Sequence, residues 1–127
     1  MPRPLRMLIA DDNKDFAYMF QACMSANNDI EIVGIAEDGD QTCSMLERAR
    51  PDVLLLDLVM PSMDGLEVLR RATTMEHRPN VIIVMSALGN DSIVRNALSL
   101  GAQDYFQKPL DIPAVLSRIY SIAGTTP

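Results

Sequence analysis

Val53-Leu54-Leu55-Leu56-Asp57-Leu58-Val59-Met60-Pro61 is an apolar run that ends in one carboxylate and then breaks at Met60-Pro61. A short run of Val and Leu between Pro51 and Pro61 reads as a strand buried on both faces, the kind used in parallel sheets. Asp57 then stands at the carboxyl end of the strand, the edge at which open α/β sheets bind their ligands. Which other side chains reach that edge decides its chemistry.

Upstream, Met7-Leu8-Ile9-Ala10 is a short apolar strand that ends at once in Asp11-Asp12-Asn13. Phe16, Met19, Phe20 and Cys23 follow at helical spacing, giving one apolar stripe on a helix that runs to about Ser25. Ile30 to Ala36 is a second strand, Glu37-Asp38-Gly39-Asp40 leads into a helix with Cys43, Leu46 and Ala49 on its apolar side, and Pro51 ends that helix. Downstream, Leu58 to Asp64 is a loop and Gly65 opens a helix with Leu66, Leu69 and Ala72 inward. Val81 to Met85 is the fourth strand, ending at Ser86-Ala87, and Asp91 caps a helix that runs to Leu100 and Gly101. Asp104 to Gln107 is a short fifth strand, ended by Lys108-Pro109, and the last helix carries Ile112, Val115, Leu116 and Ile119. Periodicity is lost from Ser121, so a frayed tail is expected there.

Strict alternation of strands with amphipathic helices predicts an α/β fold, a five-stranded parallel sheet with helices on both faces and right-handed crossovers. The flavodoxin-like order 2-1-3-4-5 is the expected solution. A dinucleotide-binding half would need GxGxxG in its first turn, where this chain has Ala10-Asp11-Asp12-Asn13.

At 127 residues, 48% hydrophobic and 22% charged, the chain is long enough for one ordinary domain with a real core. We expect that domain over residues 1–123, with 124–127 a tail or the start of a linker. A net charge of -6 and scattered basic residues, of which only Lys14 and Lys108 are lysines, argue against direct nucleic-acid binding. No run has the length of a membrane span or the form of a signal peptide, and a cytoplasmic protein is expected. Cys23 and Cys43 form neither a CxxC pair nor a disulfide framework and are expected as reduced core residues. His77, the one histidine, lies in a polar loop and is given no role.

In a parallel sheet all the carboxyl ends lie on one side, so Asp11, Asp12, Asp57, Ser86 and Lys108 become neighbours. Singly each has an ordinary explanation: a helix N-cap for Asp12, a solvated loop charge for Lys108, a capping hydroxyl for Ser86. Together they are hard to explain as surface decoration. Three adjacent carboxylates repel, so one must hold a proton or a cation must bind. An all-oxygen set without His or Cys favours Mg2+ (or Mn2+) over zinc or copper. With a cation and Lys108 to stabilise the three equatorial oxygens of a transferring phosphoryl group, Asp57 has the chemistry of a nucleophile that forms an aspartyl-phosphate.

The set Asp11-Asp12, Asp57 followed by Met60-Pro61-Ser62-Met63-Asp64-Gly65, Ser86-Ala87 and Lys108-Pro109 resembles the receiver domain of response regulators in two-component signalling and phosphorelays. The likeness runs from about Leu5 to Ala123. More narrowly, Ile9 to Asn13 with Leu56 to Pro61 is similar to the receivers of transcription factors that control sporulation in endospore-forming bacteria. The resemblance implies that Asp57 accepts a phosphoryl group from a histidine kinase or histidine phosphotransfer protein. Asp12, Asp57 and the backbone carbonyl of Val59 would hold Mg2+, with Asp11 acting through a coordinated water. Lys108 would pair with the phosphoryl oxygens, Ser86 would turn toward them, and Tyr105 would move inward behind it; the Lys108-Pro109 bond is expected to be cis. Taken without the resemblance, Tyr105 is a sheet aromatic with its hydroxyl in solvent.

A C-terminal effector domain, DNA-binding if present, and a homodimer on phosphorylation are further expectations. Ile93, Val94, Ala97, Leu98 and Leu100 make a wide stripe on the fourth helix, explained either by wedging between neighbours or by an output face shared with the fifth strand and helix. Lys14, Asp15, Tyr18 and Gln21 on the first helix are the expected docking side for the phosphodonor. Val59 and Leu88, apolar beside the site, predict a long-lived phosphoryl state. A haloacid-dehalogenase-like phosphatase would need a second Asp where Val59 stands, and a receiver-like module that is never phosphorylated usually lacks part of the acidic set.

Overall fold

The computed structural model describes residues 3–25, 28–87 and 91–124. Strands β1 (Leu5–Ala10), β2 (Ile30–Ala36), β3 (Val53–Asp57), β4 (Val81–Ser86) and β5 (Asp104–Gln107) alternate with helices α1 (Lys14–Ser25), α2 (Gly39–Ala49), α3 (Gly65–Thr74), α4 (Asp91–Leu100) and α5 (Ile112–Ala123). All strand pairs are parallel and the order is β2-β1-β3-β4-β5. Every residue of β3 and β4 is buried, because Val53 to Asp57 and Val81 to Ser86 are covered by helices on both sides.

Period-two alternation divides the core. Met7, Ile9, Val53, Leu55, Ile83 and Met85 pack under α1 and α5, against Ala17, Phe20, Met24, Val115 and Ile119. Leu8, Ala10, Leu54, Leu56, Ile82 and Val84 pack under α2, α3 and α4, against Leu46, Val68, Leu69, Ala72 and Ala97. This parity governs the edge as well.

Three details differ from the expectations. The buried stripe of α1 is Ala17, Phe20 and Met24, with Phe16 partly covered, whereas Met19 and Cys23 lie exposed on the far side. Ala17 is small enough to bring α1 close to the sheet, and a stripe centred on it turns Cys23 outward. Cys43 is half-buried, so neither thiol is a full core residue. The last helix does not fray at Ser121: it continues to Ala123, where Gly124 closes it in the left-handed conformation. Ile122 and Ala123 pack partly against the α1/α5 core, which holds that final turn. On α4, Ala97 alone is fully buried, Ile93 and Leu100 are partly covered, and Leu98 is 44% exposed. Residues 125–127 of the expected tail lie outside the described residues.

Candidate functional site

At the carboxyl edge the parity of each strand decides which way its last polar residue points. Asp11 continues the series of Met7 and Ile9, Asp57 that of Val53 and Leu55, and Lys108 that of Phe106, all on the α1/α5 face. The three meet there. Lys108 Nζ donates to Asp11 Oδ2 at 2.5 Å and to Asp57 Oδ2 at 2.9 Å. The remaining oxygens are also occupied: Asp11 Oδ1 accepts from the Asn13 amide at 2.8 Å, and Asp57 Oδ1 from the Val59 amide at 2.8 Å. Each carboxylate thus closes a two-residue turn with one oxygen and shares one ammonium with the other. The Lys108–Pro109 peptide is cis.

Asp11 and Asp57 are buried, Asp12 is exposed, and one carboxylate oxygen from each of the three lies within 4.8 Å of the others. An acidic set with one solvent-facing member fits a hard cation that keeps part of its water, and its donors are all oxygen. Burial lifts the Asp57 carboxyl above the ordinary aspartate value, against hydrogen bonds from Lys108 and Val59, and the charge of Asp11 adds to the lift. Burial also pulls on Lys108 from the other side, lowering it, but hydrogen bonds to Asp11 and Asp57 together prevail and its value stands above that of an ordinary lysine. Both values are raised, but with opposite effect on charge: the ammonium, with two anionic partners, is held in its charged form, whereas buried Asp57, which shares one cation with a second buried anion, is pushed toward its neutral form.

Ser86 and Tyr105 follow the opposite parity. Ser86 is wholly buried and continues the series of Ile82 and Val84, and Tyr105 packs against the α2/α3/α4 core. The Tyr105 hydroxyl donates to the Ser86 carbonyl oxygen at 3.4 Å, and that oxygen also accepts from the Lys108 amide at 2.8 Å. Tyr105 is half-buried, so the picture of a sheet aromatic with its hydroxyl in solvent is set aside.

Val59 is 52% exposed at the mouth, and Leu88, its expected companion, lies outside the described residues. On α1, Lys14, Asp15 and Tyr18 are exposed and Gln21 half-buried, with Lys14 pairing with Glu37 across the mouth at 3.1 Å. His77 borders a groove of about 280 Å3 with Leu46, Glu47, Arg50, Met75 and Glu76, at the ends of α2 and α3 and away from the carboxylates.

Two contributors escape a reading of the sequence. Asn13 caps α1, its Oδ1 accepting from the Phe16 amide at 3.1 Å. Phe16 presents its ring to Lys108, with Nζ 4.7 Å from the ring centroid. The signal for it was its place one turn beyond Asp12 on a helix that starts at the edge.

A response regulator receiver domain family model matches residues 7–120. Among solved structures, the receiver of the response regulator NarL from Mycobacterium tuberculosis is 27% identical with a TM-score of 0.89, covering 98% of this chain and 100% of that one. The response regulator domain of CheB from Thermotoga maritima is 26% identical with a TM-score of 0.87, covering 98% and 100%. A chain of the CheX-CheY-BeF3-Mg2+ complex from Borrelia burgdorferi is 29% identical with a TM-score of 0.86, covering 94% and 90%. With the family model matched from within β1 to within α5, the chain belongs to the response regulator receiver domain family, a family of two-component signalling domains rather than classical enzymes.

Proposed function

We propose that Asp57 accepts a phosphoryl group from a phosphohistidine donor, and that the new charge alters the face made by α4, β5 and α5. The observation that carries this reading is the single Lys108 ammonium shared by two buried carboxylates beside Asp12. In the transfer an Asp57 carboxylate oxygen attacks phosphorus as the P–N bond to the donor imidazole breaks, and the imidazole leaves with a proton. Asp11, Asp12, Asp57 and the backbone carbonyl of Val59 would hold Mg2+, which supplies electrostatic stabilisation of the phosphoryl oxygens. The Borrelia structure that this chain resembles is of a complex that contains BeF3 and Mg2+, which supports the same use of this acidic set.

Lys108 neutralises charge at the acceptor before transfer and turns to the phosphoryl oxygens after it. Leaving the Asp11 carboxylate is inexpensive for it once a cation has taken that oxygen. Ser86 lies on the other face of the sheet and reaches the new group only by rotating its hydroxyl. Its carbonyl already joins Lys108 and Tyr105, so a shift at Ser86 is felt at β5. The partners under this reading are a histidine kinase or phosphotransfer protein at the α1 side and an effector domain or second copy at the output face, in the cytoplasm. A transcriptional output, in sporulation in particular, is supported by the likeness of Ile9 to Asn13 and Leu56 to Pro61. Apolar Val59 offers attacking water no hydrogen-bond partner, which supports a phosphoryl group that outlasts minutes.

The test is intact mass after incubation with Mg2+ and acetyl phosphate, followed in time, with oligomeric state read on the same samples. Wild type should gain one phosphoryl group, keep it beyond minutes and dimerise, and Asp57→Asn should gain none. Turnover of a phosphate ester, p-nitrophenyl phosphate, offered in a parallel sample would favour the phosphatase alternative, and no gain in wild type would favour a module that is never phosphorylated.

A further inference from the structure

Lys108 reaches the carboxylates along a path that one apolar side chain borders. Phe16 is the third residue of α1, and the Asn13 cap fixes its backbone. Its ring packs partly against the α1/α5 core and tilts against Phe20, with centroids 6.1 Å apart and planes at 42°. One face is thereby left to the Lys108 ammonium, 4.7 Å from the ring centroid and inside the range of a cation–π contact. The side chain of Lys108 is only 18% exposed, so water competes little for that contact.

The three partners of the ammonium respond differently to a cation and a phosphoryl group. Asp11 is drawn to the cation, and Asp57 becomes the acyl phosphate. The quadrupole of the Phe16 ring is indifferent to both events. We infer that Phe16 is a positioning residue that keeps the Lys108 ammonium facing Asp57 while its anionic partners are exchanged. The inference rests on the proposed role of Asp57 as phosphoacceptor. Packing alone would also explain a ring at this position, and a branched aliphatic side chain would serve packing nearly as well.

The comparison is therefore Phe16→Leu, which keeps apolar bulk without a π face, against Phe16→Tyr, which keeps the face. At saturating Mg2+ and acetyl phosphate, Phe16→Leu should lower the maximal phosphorylation rate about three-fold, and Phe16→Tyr should restore most of it. Added to Lys108→Met, Phe16→Leu should cost nothing more, because the partner of the ring is already gone. A second readout needs no phosphodonor. In the metal-free protein and after Mg2+ addition, the Lys108 ε-methylene protons should resonate upfield through the ring current in wild type and Phe16→Tyr, and return to the ordinary position in Phe16→Leu. A Phe16→Leu rate equal to wild type, an equal loss in Phe16→Tyr, an equal cost in the Lys108→Met background, or no upfield shift after Mg2+ addition in wild type would each overturn the inference. Failure of wild type to take a phosphoryl group would overturn the proposed function instead, and the ring-current readout would still decide whether Phe16 holds Lys108.

Discussion

At the scale of single residues, Asp57 stands under opposing demands. To act as the proposed nucleophile its carboxylate must be ionised, yet it is only 5% exposed and faces Asp11. Burial sets its pKa above the ordinary value, so the ionised form weighs against folding. The sign follows: a raised carboxyl contributes stability below the unfolded value and loses it as pH rises through the folded one. In metal-free buffer, Asp57→Asn should therefore be more stable than wild type at neutral pH, with the difference closing below the ordinary carboxylate range. Urea unfolding of both proteins across that range reads this directly. Asp11, Asp12, Asp57, Ser86 and Lys108 were legible from the sequence because each is a polar residue directly at a strand end, where topology decides its neighbours. Phe16 was not, because an aromatic residue at helical spacing carries the same signature whether it fills a core or faces a cation.

At the scale of elements, β3 must deliver Asp57 and then be clear of the mouth within a few residues. Asp64 caps α3 through the Leu66 amide at 2.9 Å, and Gly65 brings that helix directly against the loop. A Cβ at Gly65 would lie 2.4 Å from the Leu58 carbonyl oxygen and 2.5 Å from its Cα, both backbone atoms that no rotamer change can move. Gly65→Ala should cost about 2 kcal/mol in urea unfolding and slow phosphorylation as well, because Leu58 directly follows Asp57, the proposed acceptor. Strand limits were readable almost to the residue, since buried parallel strands are continuous apolar runs between turn residues. Helix faces were less so. The inward face of α1 turns on Ala17, which lacks the bulk that marks a core position in sequence, and the last turn of α5 is held by Ile122, which continues the series of Val115 and Ile119 but is followed by Gly124 and a polar end that mask it.

At the scale of the molecule, the two faces of one sheet divide the work that the edge requires. Asp57, Lys108 and Phe16 lie on the α1/α5 side, while Ser86 and Tyr105 lie on the α2/α3/α4 side, and the strand termini are the place where the two sides meet. A ligand bound at that edge is therefore tied to the stability of both half-cores, and a cation that binds the folded acidic set stabilises the whole domain by linkage. With Mg2+ at a hundredfold excess over its dissociation constant the gain is about 2.7 kcal/mol, or roughly 10 °C in thermal midpoint for a domain of this size. Sodium at matched ionic strength should give no comparable shift. Asp12→Ala, which removes the exposed member of the set, should lose most of the gain while folding as wild type does without metal. Asp57→Asn makes the test sharper, because it starts from the more stable metal-free protein and gains less from Mg2+. The melting curves of wild type and Asp57→Asn should therefore exchange order as Mg2+ is added. Parallel shifts in all three proteins would mean that the cation acts on general surface charge and that Asp11, Asp12 and Asp57 do not hold it.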